Sequence, residues 1–128
     1  MEYAIENEYL IVTVTTWGAQ VKSVVRKFDD VEHMWQADKS VWGYHAPILF
    51  PHTGKVVDDL IETKGEVYQA KQHGFARLME HTMVRQTEDT IVMELRSSEE
   101  TLRIFPYAFR LVSTFTLDGD TLQHKLTV

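Results

Sequence analysis

The chain has 128 residues, 44% of them hydrophobic, and a formal net charge of −6 with acids and bases dispersed along it. That length suits one domain around one core, and the lack of a basic stripe argues against a nucleic-acid partner. With no cysteine, disulfides, thiolate catalysis and cysteine-zinc sites are excluded, which suits a reducing, cytoplasmic location. The first residues, MEYAIENEYL, are acidic where a signal peptide would be basic, and no apolar run reaches bilayer-spanning length, so a membrane partner is not expected.

In chain order, EYLIVTVTT, closing at Gly18, and AQVKSVVRKF, closing at Asp29 and Asp30, are β-branched runs that read as strands. LIETKGEVYQA reads as a short hairpin turning at Lys64 and Gly65. LMEHTMVRQ and TIVMELRSS flank Thr87, Glu88 and Asp89 as a second hairpin. SSEETLRIFP is the one helical candidate, a turn or two capped by Ser97 or Ser98 and stopped by Pro106. The clearest signal is last: Phe109, Leu111, Ser113, Phe115 and Leu117 alternate with polar or β-branched residues. After the Asp118-Gly119 turn, Leu122, His124, Leu126 and Val128 do the same. About ten short strands imply an all-β antiparallel sandwich, one domain over 1–128. The chain stops at Val128 inside this alternation, so an exposed sheet edge is expected there, and with it pairing to further chain or to a second copy as a homo-oligomer.

Two polar clusters interrupt the strands. In HAPILFPHTGK, Pro47 and Pro51 fix the backbone and remove amide donors, so the segment is expected at a sheet edge or crossing between sheets. His52, Thr53 and Lys55 around Gly54 then offer an imidazole, a hydroxyl and a cation suited to sugar hydroxyls or a phosphate. A plain surface loop explains them equally. QHGFAR sets Gln72, His73 and Arg77 around Gly74 and Phe75, mixing polar forks, close backbone and an aromatic ring as sugar sites do; a buried loop histidine with an anchoring Phe is the alternative.

Other chemistries fit less well. The spacing of His45, His52 and His73 matches no compact ligand motif, so no metal and no cofactor is expected. No GxSxG nucleophile motif is present. Trp17, Trp35 and Trp42 are expected in the core rather than on a ligand. Asp58-Asp59 and Glu99-Glu100 read as solvated turn residues, not as a paired acid and base.

GAQVKSV, MWQADKSVWGYHAPILFPHTGKVVDD, QHGFAR, SSEETLRIFPYAFRL and TFTLDGDTL, in that order along nearly the whole chain, resemble the aldose 1-epimerase (galactose mutarotase-like) family, in particular its bacterial LacX-type branch. The resemblance implies the family's large antiparallel supersandwich and its reaction, the interconversion of α and β anomers of a hexose. It also implies that a glutamate base and a histidine acid lie in a C-terminal half, so that this chain corresponds to the N-terminal part of an incomplete domain and is inactive alone. By the same resemblance His73 matches a histidine that supports the transition state near the ring oxygen. Arg77 matches an arginine that can lie near a hexose phosphate. Lys55 stands where the pattern PILFPxxGR has arginine, which keeps the charge but loses the planar fork. His52, Lys55, His73 and Arg77 are therefore the expected site residues for a hexose or hexose phosphate. A carbohydrate-binding sandwich acting as a homo-oligomer is the alternative.

Overall fold

Period-two alternation decides which residues become strands and which face of each is buried. In the computed structural model, which describes residues 1–128, one antiparallel sheet contains β1 (Glu2–Glu6), β2 (Leu10–Thr15), β3 (Gln20–Arg26) and β4 (Val31–Glu32), in that spatial order. A small hairpin follows, β5 (Leu60–Thr63) with β6 (Glu66–Gln69). The second four-stranded sheet holds β7 (Thr82–Gln86), β8 (Thr90–Arg96), β9 (Arg110–Asp118) and β10 (Thr121–Thr127), ordered β10-β9-β8-β7.

The two large sheets share one hydrophobic core. Leu10, Val12 and Val14 of β2 join Ile91, Met93 and Leu95 of β8 and Leu111, Phe115 and Leu117 of β9 in a single buried cluster. Every second residue of β8 and β9 is buried, as the alternation requires. On β10 the same alternation has no facing layer: Leu122 is half-buried, while His124 and Leu126 are exposed. β10 pairs on one side only, with β9, and its other edge is unpaired.

The turns follow their chemistry. Lys64 (φ 54) and Gly65 (φ 75) both take positive φ between β5 and β6, as a two-residue hairpin turn of the right-handed twist demands. α1 (Glu99–Leu102) starts at Ser98, whose side chain accepts from the Thr101 amide while Thr101 Oγ1 accepts from the Ser98 amide, a reciprocal cap that satisfies two amides at the helix start.

One expectation, that of the tryptophans, changes. EYAIE forms β1 although it gave no strand signal, because only Ile5 is buried there. The three tryptophans are not core: Trp17, Trp35 and Trp42 are 50%, 44% and 47% exposed. The core is filled instead by aliphatic residues of β2, β8 and β9 with Phe75 and Phe115, and the indoles lie in loops outside it. Residues 33–56 form no strand. They are tied to the rest by an isolated parallel bridge between Phe50 and Gly74, with Ile48 buried as an anchor.

Candidate functional site

The β5–β6 hairpin is what makes neighbours of HTGK and QHGFAR. Ala70, just past β6, donates its amide to the Asp59 carbonyl at 2.7 Å, closing the base of the hairpin. Beyond that point the two turns bond to each other in both directions. The His73 amide donates to the Gly54 carbonyl at 2.9 Å, and the Gly54 amide donates to His73 Nδ1 at 2.8 Å.

This second bond fixes what His73 can do. With Nδ1 accepting, a neutral ring carries its proton on Nε2. Nε2 lies 3.4 Å from the Gln72 side-chain nitrogen, and a proton on Nε2 is met there when that amide turns its oxygen toward the ring. His73 also takes φ 65, and Gly74 φ 70. Both lie in the left-handed region that tight turns use, as Lys64 and Gly65 do.

Arg77 stands on the short 3-10 turn Ala76–Leu78. Its Nη2 donates to the Gln72 carbonyl at 3.1 Å, and its guanidinium lies 5.0 Å from the centre of the Tyr44 ring. Arg77 Nε is buried with no partner, and no carboxylate pairs with the side chain. Tyr44 in turn packs against Trp42 with ring centroids 5.8 Å apart, and Trp35 Nε1 donates to the Trp42 carbonyl at 2.8 Å. Tyr44 thus links Arg77 to Trp42 and, through the Trp42 carbonyl, to Trp35. Lys55 is exposed on the Gly54 turn and makes no ion pair.

Of the two readings of Phe75 the structure shows the anchor, and His52 stands apart from the other candidate residues. Phe75 is not an open ring for a ligand. It is buried in a cluster with Phe50, Phe105 and Phe109, with centroids from 5.0 to 6.2 Å apart, and so anchors the turn. His52 lines a cavity beneath the β5–β6 hairpin that Lys55, His73 and Arg77 do not line.

Behind the turn sits a residue that sequence reasoning passed over. His81 is 1% exposed; Nε2 donates to the Ala76 carbonyl at 3.0 Å, and its amide donates to Thr16 at 2.8 Å. The alternation Met79, His81, Met83 places it on an inward row, which is the signal that marks it. Burial holds its pKa below the ordinary histidine value, against smaller opposing effects of the Ala76 carbonyl and the Glu80 charge. The unfolded chain then takes up a proton near pH 6.5 that the folded chain refuses, so stability is full above about pH 6.5 and falls as pH drops toward the folded pKa. Urea midpoints measured between pH 7.5 and 5 are expected to fall on acidification, and the fall is expected to shrink in His81→Gln, which keeps a donor without titrating.

Comparisons with known proteins bear on the family and the fold. A family model described as aldose 1-epimerase matches residues 1–128. The plasmid-encoded protein LacX of Lactococcus lactis subsp. lactis is 32% identical over 133 aligned positions, which take in 100% of this chain and 44% of that protein. A galactose mutarotase related enzyme from Lactobacillus acidophilus superposes with a TM-score of 0.97 at 36% identity, over 98% of this chain and 42% of its own. A galactose mutarotase-like protein from Lactobacillus casei gives a TM-score of 0.95 at 32% identity, over 98% and 43%. The chain therefore spans less than half the length of these relatives, and what it matches is their N-terminal portion.

Proposed function

Because this chain belongs to the aldose 1-epimerase family, we propose that it supplies the first wall of a hexose site, holding the sugar while an acid and a base outside its span exchange protons at the anomeric carbon. The observation that carries this reading is the two-way bonding of Gly54 and His73, which fixes the His73 ring so that its Nε2 and the Gln72 amide 3.4 Å away form one polar pair for sugar hydroxyls. Arg77, with Nε unpartnered, and Lys55 add cationic donors, and the Trp42 and Tyr44 rings offer faces to the C–H surface of a pyranose. Ring opening needs one group to take the proton of the anomeric hydroxyl and another to protonate the ring oxygen. His73 is poorly placed for either task, since its only basic nitrogen is already occupied by the Gly54 amide.

Polarimetry tests this. The chain alone is expected to leave the mutarotation of α-D-glucose and α-D-galactose at the uncatalysed rate. An acceleration by the purified chain that disappears in His73→Ala would show that it contains its own acid and base. Trp42→Ala is expected to weaken hexose binding about threefold to tenfold, the worth of one aromatic contact, as read by isothermal titration. Glucose 6-phosphate is expected to bind more tightly than glucose through Lys55 and Arg77; equal affinity would remove the phosphate from this reading.

A second reading, a carbohydrate-binding module built from two copies, is favoured by the unpaired edge of β10 with Leu126 exposed beside it. Such an edge is a template for a further strand. Sedimentation at several concentrations is expected to show a discrete dimer under this reading, and a monomer at every concentration would dismiss it.

A further inference from the structure

At Arg77 the backbone is held on both sides, and the side chain is what remains to be aimed. A Cβ at Gly18 would lie 2.7 Å from the Arg77 carbonyl oxygen, so close is that backbone. The Leu78 and Met79 amides close the turn on the Phe75 and Ala76 carbonyls. Two contacts direct the guanidinium, the Nη2 bond to the Gln72 carbonyl at 3.1 Å and the Tyr44 ring, over which it lies 5.0 Å from the centre. We infer that Tyr44 is a positioning residue for anion binding at Arg77. Its ring holds one face of the guanidinium, so that the Nη1–Nη2 edge is presented to the phosphate of a hexose phosphate on the proposed wall, a reading on which this choice of substrate rests.

The donors of Arg77 select the ligand. A guanidinium carries five N–H groups, all in its plane. Here the one on Nε is buried and unmet, and one on Nη2 goes to Gln72. Nη1 neither bonds nor is shielded. Its two N–H groups and the second of Nη2 remain, a fork that matches two oxygens of a phosphate. A ring over the plane occupies none of these donors, because the face it covers makes no hydrogen bonds. What the ring supplies is orientation. An arginine that is not held gives up the freedom of its long side chain when the anion arrives, and binding weakens by that loss. Tyr44 is itself fixed by the chain around it. The next amide, that of His45, donates at 3.3 Å to Oε1 of Gln20, a buried residue at the start of β3, and His45 Nδ1 lies 2.8 Å from the Trp35 carbonyl. The contacts of Tyr44 with Arg77 and Trp42 are made by its ring, so a phenylalanine would keep them.

The probe is inorganic phosphate, which has no C–H surface to lay on a ring and needs no hexose wall. It is titrated into the 128-residue chain, Tyr44→Phe and Tyr44→Leu, and followed by the backbone amides of residues 72 and 77 in NMR spectra. Saturable binding that is kept in Tyr44→Phe and weakened about twofold to fivefold in Tyr44→Leu is expected, the worth of a guanidinium held on an exposed ring. In the unaltered chain the Arg77 side-chain protons are expected upfield of their ordinary position, shifted by the ring current of Tyr44, so a misfolded variant does not remove the test. Unshifted Arg77 protons, no saturable binding, binding that leaves residues 72 and 77 unmoved, full affinity in Tyr44→Leu, or the same loss in Tyr44→Phe would each overturn the inference. Glucose 6-phosphate is expected to bind more tightly than phosphate and to lose the same factor in Tyr44→Leu; equal affinity for the two would overturn a hexose phosphate as the ligand. Glucose that fails to move Gly54 and His73 counts against the hexose wall, whereas the phosphate titration reads Tyr44 and Arg77 alone.

Discussion

Gly74→Ala is expected to destabilise the chain by at least about 3 kcal/mol, among the largest effects a single methyl can have. Two costs add. Gly74 has φ +70, where a side chain is strained, and a Cβ at that position would run into the Phe50 carbonyl and the Pro51 ring. The carbonyl cannot retreat cheaply, because it accepts from the Phe75 amide at 2.9 Å and the Ala76 amide at 3.3 Å. Moving it would break the bridge that joins the two polar clusters. Gly65→Ala separates the terms: φ there is +75, but nothing lies within 4 Å of the added methyl. That variant is expected to lose only about 1 kcal/mol, the conformational part. Urea denaturation of the two variants side by side reads the difference, and similar midpoints would mean that the close approach of Phe50 to Gly74 is not a feature of the folded chain.

Phe115→Ala is expected to cost about 3–5 kcal/mol. Phe115 is wholly buried at the middle of β9 and is the largest such side chain in the core, with the His124 ring stacked on it at 4.2 Å. Truncation leaves a hole that two hydrogen-bonded sheets cannot collapse to fill. The margin to absorb this is small. Only 23 of 128 residues are buried, so total stability belongs near the lower end of the usual range of about 5–15 kcal/mol. The variant is expected to lose its cooperative thermal transition or to melt far below the parent. A Tm within a few degrees of the parent would place Phe115 outside the common core.

Much of the architecture was legible in the sequence, and the failures have physical causes. The alternation of β9 names its buried residues correctly because both neighbouring strands and the opposite sheet are present. The same pattern on β10 names a face that this chain does not cover, since burial depends on a facing layer that periodicity cannot report. The cap at Ser98 and the turn at Lys64-Gly65 are local chemistry and were readable as such. β1 was not, because a strand flanked by Glu2 and Glu6 with one buried residue carries almost no pattern. The tryptophans were misplaced by a rule that ranks residue types by average burial, which says nothing about a long loop held by its own hydrogen bonds.

At the site, the residue types were legible and their pairing was not. Gly54 and His73 are nineteen positions apart, and their contact exists only once β5 and β6 have closed. The same applies to Arg77 over Tyr44. His52 and Lys55 sit three residues apart in sequence, yet a tight turn shields both imidazole nitrogens and leaves the ammonium in solvent. Spacing alone could not separate those two outcomes.

The direct test of the hexose wall is an NMR titration of the chain with galactose and glucose, following backbone amides. Saturable shifts centred on Gly54, His73 and Arg77, extending to Trp42 and Tyr44 and lost in His73→Ala, are the expected result. A hexose that leaves Gly54 and His73 unmoved, whether it binds elsewhere or not at all, would contradict it.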